Sequence, residues 1–295
     1  MSLQLALSSR THALSTPVAP CQARSAATAP PAFVRCLRTS LHRGALGHLA
    51  PGWWQLALEA RAPWEFAALL AATPWLRRLP KGDGHPVIVL PGLGVADFST
   101  VALRQFLCDQ GYDAHPWHQG FNFGPRQGVL SACLDQLKAL HYASGQAVSL
   151  VGWSLGGIYA RELAKEAPDH VRCVVTLGSP FTGHPQGTNA WRLFEWVSGL
   201  DAHDEDMLAQ IRGTPPVPTT SIYSRTDGVV AWPCSLNPEG PQTENIEVPA
   251  SHIGMVLNPL SLYAVADRLA QPPGAWQPFE ITPARRWFFK RGAPR

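Results

Sequence analysis

The sequence predicts an α/β domain on a mostly parallel, doubly wound sheet, and three observations carry the prediction. From residue 84 onward, short apolar runs alternate with longer stretches of helical period. Two of the runs, VIVL and CVVTL, are continuously apolar, as strands covered on both faces must be. The chain has 295 residues, 45% of them hydrophobic, enough for one large domain with a substantial core, which excludes a disordered or fibrous protein.

Taken in order, residues 1–50 are rich in Ala, Ser, Thr and Pro without a sustained period and read as a flexible extension. Residues 51–80 read as a helical segment in two pieces, with Pro63 at the first turn of the second. Trp53, Trp54, Trp64, Phe66, Leu69 and Leu70 form an apolar face expected to pack on the domain. The alternative is an interfacial helix dipping into lipid beside Arg77 and Arg78. The α/β domain spans 84–272, with strands expected at 86–91, 112–117, 147–152, 171–177, 219–224 and 244–249. Helices are expected at 99–110, 126–143, 155–166 and 259–270. Residues 181–216 break the alternation with two helix-like pieces and read as an insertion. Residues 273–295, Pro-rich, basic and aromatic, are expected to run over the surface as a tail without regular structure.

Charge is sparse, 15% of residues against roughly 25% in an average soluble protein. It is also segregated: residues 1–58 sum to +5, residues 271–295 to +4 and the stretch between to −6. Basic ends can touch anionic lipid, so a weak peripheral membrane contact is a candidate. The one basic aromatic stretch, ARRWFFKR, is too short and too far from the core to predict a nucleic-acid partner. The six cysteines show no C-x-x-C pair, and no His/Asp/Glu cluster has metal spacing, so neither a metal site nor a disulfide scaffold is expected. No phosphate loop or strand-linked GxGxxG occurs, and no cofactor is implied. MSLQLALSSR lacks a basic residue ahead of its short apolar stretch, and no run of about 18 apolar residues spans a bilayer. A cytoplasmic protein is the expectation, with membrane association as the second reading, although the acid-free start shares the composition of an organelle transit peptide.

The strongest local signal is SLVGWSLGGIYARELAK, a strand running into G-W-S-L-G-G and then into a helical pattern near Leu155. This is G-x-S-x-G in strand–turn–helix context, the arrangement that lifts a serine hydroxyl above a sheet as a nucleophile. Its glycines remove side chains that would collide with neighbouring backbone. A serine hydroxyl needs a base and a group that orients the base. Candidates follow at strand ends: Asp227 in SRTDGVV, and His252 in PASHIGM. Asp201, Asp204 and Asp206 are rivals for the acid but sit in the insertion, and Asp267 comes after the histidine.

With these residues assembled, the chain resembles an α/β-hydrolase of the bacterial lipase/esterase type over roughly residues 84–272. GWSLGG, LPGLG, SRTDGVV and SHIGM are similar to the family's motifs and stand in the family's order. The resemblance implies a first oxyanion-hole N–H from Leu155 and a second from Leu93, in a loop where proline replaces the family's common histidine. It also implies that the 181–216 insertion is a small helical cap. Trp191, Phe194, Trp196 and Leu200 are then expected to roof an acyl-binding groove, with Trp232 near its rim and Trp153 among the substrate contacts. The expected activity is hydrolysis of small-molecule or lipid esters through an acyl-enzyme on Ser154, with His252 as base and Asp227 as its orienting acid. Acyl transfer by the same triad, or a silent lipid-binding module on this fold, are the alternatives.

Overall fold

A computed structural model describes residues 49–182, 185–198, 204–283 and 285–291. The expected extension 1–50 lies outside these residues except for its last two. Among the described residues, six strands form the parallel part of the sheet: β1 (Pro86–Leu90), β2 (Asp113–Pro116), β3 (Val148–Trp153), β4 (Val171–Leu177), β5 (Thr219–Tyr223) and β6 (Thr243–Glu247). Their spatial order is 2-1-3-4-5-6, and every neighbouring pair is parallel. All six strands of the sequence reading are present.

The helices are α1 (Trp53–Ala57), α2 (Ala62–Leu76), α3 (Val101–Asp109), α4 (Val129–Ser144), α5 (Leu155–Glu166), α6 (Trp191–Ser198), α7 (Glu205–Arg212) and α8 (Pro259–Leu269). Parallel neighbours require crossovers, and these place helices on both faces of the sheet. Because side chains alternate along a strand, Val87 and Val89 pack with Leu69, Leu103, Leu107 and Leu262 on one face. Ile88 and Leu90 pack with Leu137, Leu163 and Tyr159 on the other. α4 starts three residues later than its periodicity predicts, because Gly128 (φ 84°) precedes it in a left-handed conformation, and Gly145 (φ 68°) ends it in another.

Two expectations need correction. The tail adds a seventh strand, β7 (Lys290–Arg291), antiparallel to β6. Phe279 and Phe289 are buried, 5.0 Å apart between ring centroids, with Phe289 5.5 Å from Tyr263. Two of the tail's aromatic residues, Phe279 and Phe289, are therefore core, whereas Trp287 and Phe288 stay on the surface with its charges. The second correction concerns the tryptophan-rich face, which does not pack on the domain: Trp53 is 79% exposed, Trp64 77%, and Trp54, Phe66 and Leu70 are also exposed. The stripe that packs is Ala62, Glu65, Leu69 and Leu76. The segment is apolar nearly all round, so hydrogen bonding by buried carboxylates, and not hydropathy, selects its inner face.

Candidate active site

β3 ends at Trp153 and α5 begins at Leu155, so the chain reverses within one residue. Ser154 takes φ 53° and ψ −123°, a backbone region that costs a non-glycine residue about 1–3 kcal/mol. The surrounding structure holds it there: Ser154 N–H donates to the Leu177 carbonyl at 2.8 Å. The flanking glycines answer to close packing. A Cβ on Gly156 would lie 2.7 Å from the Pro91 oxygen, and one on Gly152 would collide with the Gly156 carbonyl.

The loops after β5 and β6 bring two further groups to the serine. His252 Nε2 lies 3.0 Å from Ser154 Oγ, and His252 Nδ1 lies 2.7 Å from Asp227 Oδ2. Asp227 Oδ1 accepts from the N–H groups of Val229 (2.8 Å) and Val230 (2.7 Å), which fixes the carboxylate plane. Asp227 and His252 are buried, whereas Ser154 remains partly exposed. Burial pushes the His252 pKa down, but the Asp227 charge and hydrogen bond, with a further contribution from Glu59, bring it above the ordinary value. With Nδ1 protonated toward Asp227, Nε2 is the acceptor facing the serine hydroxyl.

The loop after β1 lies against this group, since a Cβ on Gly92 would be 3.3 Å from Ser154 Cβ. Leu93 and Leu155 line the same cavity as the serine, with Leu155 in the first turn of α5, whose N–H groups suit a developing negative charge. Asn122, wholly buried, stiffens the loop: Nδ2 donates to Pro91 O (2.8 Å), its carbonyl accepts from Gly94 N–H (2.7 Å), and its N–H donates to Val95 O (2.8 Å). An asparagine thus anchors the loop that carries Pro91.

From Ser154 a cavity of about 240 Å³ runs under the cap between Leu93, Leu155, Ile158 and Phe181. Trp191 and Phe194 of α6, with Met207 and Ile211 of α7, line it as well. The side chain of Trp196 lies outside the described residues, as do Leu200 and Asp201. Trp153 and Trp232 are not in the wall. Trp153 is buried and donates its indole N–H to the His252 carbonyl at 3.0 Å, so it supports the histidine loop. Trp232 stacks on Tyr223, with the Arg225 guanidinium 4.1 Å from its ring centroid. Asp204 caps α7 through the N–H groups of Asp206 and Met207, and Asp267 pairs with Arg268 and Arg285. Among the described residues no group of three His, Cys, Asp or Glu side chains is arranged to hold a metal ion.

A second serine–histidine–aspartate set lies at the other end of the strands. His85 Nε2 is 2.8 Å from Ser149 Oγ, and His85 Nδ1 is 2.5 Å from Asp83 Oδ1. Arg172 Nη1 donates to Asp83 Oδ2 at 2.7 Å. Burial raises the Asp83 carboxyl pKa, but the bonds from His85 and Arg172 outweigh it and hold the group well below the usual carboxylate range. Ser149 and His85 have no exposed surface, so no substrate reaches them. In open α/β sheets, moreover, ligands bind beyond the carboxyl ends of the strands. This set ties the strand starts together. Asn122, Glu59 and Glu65 escaped the sequence reading, since an isolated Asn or a helical Glu carries no local signal of burial.

An alpha/beta hydrolase fold family model matches residues 90–209. No curated protein matches the sequence. Among solved structures, Aspergillus fumigatus lipase B is similar at 18% identity and a TM-score of 0.51, over 67% of this chain and 56% of that one. The mature Bacillus licheniformis lipase BlEst2 is similar at 15% identity and a TM-score of 0.50, over 66% of this chain and 95% of that one. A structure of the metagenome-derived lipolytic enzymes LipS and LipT matches at 13% identity and a TM-score of 0.50, over 65% of this chain and 95% of that one. This chain therefore spans little more than half the length of the first of these. The parallel sheet, the sharp strand–serine–helix turn and the match over residues 90–209 together give the chain an α/β-hydrolase fold.

Proposed function

We propose that the protein hydrolyses carboxylic esters through an acyl-enzyme on Ser154. The observation that carries the reading is the relay Ser154–His252–Asp227, at 3.0 and 2.7 Å, opening into a cavity walled largely by apolar side chains. Ser154 Oγ attacks the ester carbonyl as its proton passes to His252 Nε2, and Asp227 stabilises the imidazolium. The N–H groups of Leu93 and Leu155 receive the tetrahedral oxyanion. His252 returns the proton to the departing alcohol. Water then adds to the acyl carbonyl, giving its proton to Nε2, and release of the acid restores the serine hydroxyl. The apolar walls from Leu93 to Ile211 suit a hydrocarbon acyl chain, and the lipases among the structural neighbours support that substrate class.

The exposed Trp53, Trp54 and Trp64 support a weak contact with an anionic lipid surface. Co-sedimentation with anionic and neutral vesicles at low salt checks it, and equal binding to both removes the electrostatic part. The main test is hydrolysis of p-nitrophenyl esters from short to long acyl chains by wild type and Ser154→Ala, with labelling by a fluorophosphonate. Abolished turnover and labelling in the variant are expected, and full activity in Ser154→Ala refutes the reading. Added alcohol acceptors distinguish hydrolysis from acyl transfer by the partition of product.

A further inference from the structure

Asp227 and His252 stand on different loops, and the same short segment, residues 51–65, binds both. Glu59 and Glu65 are buried in it. Glu59 Oε1 accepts from the N–H of Gly228 (2.7 Å) and of His252 (2.9 Å), while Oε2 accepts from Ile253 N–H (2.9 Å). One carboxylate therefore bridges the residue after the acid to the base itself. Glu65 repeats the device one residue earlier, accepting from Ser251 N–H (2.8 Å) and Ser251 Oγ–H (2.5 Å). Arg61, 3.4 Å from Glu65, donates to Thr226 Oγ1 at 2.7 Å on the acid loop.

The loops carry the matching half of the arrangement. A Cβ on Gly228 would collide with the Gln55 carbonyl and lie 2.8 Å from Leu56 Cα. A Cβ on Gly254 would overlap the Glu65 carboxylate. Neither glycine has a positive φ, so the close approach of this segment, and not a turn conformation, accounts for both. Burying carboxylates costs several kcal/mol unless every lone pair finds a donor, and an apolar helix would pack here without that cost.

We infer that Glu59 is a positioning residue of the site, clamping the Asp227 loop to the His252 loop so that the imidazole meets Ser154; this rests on the ester-hydrolysis reading above. The groups facing His252 are Asp227 from the turn after β5, Ser154 and Trp153 from the end of β3, and Glu59 from the turn between α1 and α2; Glu65 and Arg61 lie behind Ser251 and Thr226. Burial lowers the His252 pKa, Asp227 raises it most, and Glu59 raises it further. Glu59 therefore favours the imidazolium that forms during attack as well as fixing the ring.

The test compares the full chain with Glu59→Gln and Glu59→Asp. Kinetics are normalised to sites titrated by a fluorophosphonate, and pH profiles and thermal melts accompany them. Glu59→Gln keeps the size and removes the charge: kcat falls about tenfold or more, KM stays within about threefold, and the acid limb of kcat/KM moves down by roughly half a pH unit. Glu59→Asp keeps the charge and withdraws the clamp, so kcat falls while the acid limb stays. A residue that only stabilised the fold would lower the melting temperature and the titratable fraction without moving the limb. An unchanged kcat per labelled site and an unmoved limb in Glu59→Gln overturn the proposal while leaving Ser154 as nucleophile. Failure of wild-type Ser154 to label overturns both. Should Glu59→Gln not fold, Gly228→Ala displaces the segment with Glu59 intact and is expected to show the same loss in kcat; wild-type kcat there also overturns the clamp.

Discussion

Replacing Asp227 by Asn tests the relay with almost no change of shape. Two N–H groups, at 2.8 and 2.7 Å, bind Asp227 Oδ1, so the asparagine carbonyl must take that place. The amide NH₂ is then left where Oδ2 stood, 2.7 Å from His252 Nδ1. A donor there forces Nδ1 to become the acceptor, and the ring proton moves to Nε2, 3.0 Å from Ser154 Oγ. The serine then faces an N–H and has no base. A wrong-tautomer histidine costs on the order of 10³ to 10⁴ in kcat, or roughly 4–5.5 kcal/mol of transition-state stabilisation. Because Asp227 does not line the cavity, KM should stay within about threefold of wild type. Both loop hydrogen bonds to Oδ1 survive, so the melting temperature should shift by only a few degrees. Steady-state kinetics on the best p-nitrophenyl ester between pH 6 and 9, with a parallel melt, read all three quantities. A kcat within tenfold of wild type, in a folded variant, refutes the assignment of Asp227 as the orienting acid.

Three further substitutions probe the scaffold. Gly156→Ala places a methyl 2.6 Å from the Leu90 carbonyl carbon and 2.7 Å from Pro91 O, and should cost about 1–3 kcal/mol in urea denaturation; no loss would show that the β1 loop yields freely. Asn122→Ala leaves the buried Pro91 carbonyl without its side-chain donor, so a loss of about 1–3 kcal/mol and a roughly tenfold lower kcat/KM are expected, and unchanged kinetics would remove Asn122 from the support of Leu93. His85 is buried, and burial outweighs Asp83 in holding its pKa below the ordinary 6.5. The unfolded chain then protonates first, and stability falls as pH drops below about 6.5. Melting temperatures of His85→Gln should show a flatter slope from pH 6.5 to 5, and slopes identical to wild type would contradict the shift.

The strand–Ser154–helix turn was legible because it is local: strand, glycine-flanked serine and helix occupy consecutive residues, and each imposes its own pattern. Asp227 and His252 were legible at one remove, through their place after successive strands. Trp153 and Trp232 were misplaced because adjacency in sequence does not say which side of a loop an indole faces; one supports the histidine, the other packs on Tyr223. LEARAPWEF reads as a helix with two solvated glutamates, and nothing within it announces that N–H donors from residues 228 and 251–253 will meet them. The two-residue strand β7 was too short for any periodicity, and the buried Phe279 and Phe289 were the stronger clue.

The bonds from Glu59 join residues 169 to 194 positions apart. A ribosome adding 5–20 residues per second therefore exposes Glu59 roughly 10–40 s before the backbone donors that neutralise its burial exist. Throughout that interval the Trp-rich helices have no finished surface to close upon, and a nascent chain lacking its last third holds the nucleophile turn without acid or base. On the proposed ester-hydrolysis reading, competence to turn over substrate should then arrive late and abruptly, as the final strands enter the sheet, so that activity would mark completion of synthesis more sharply than secondary structure does.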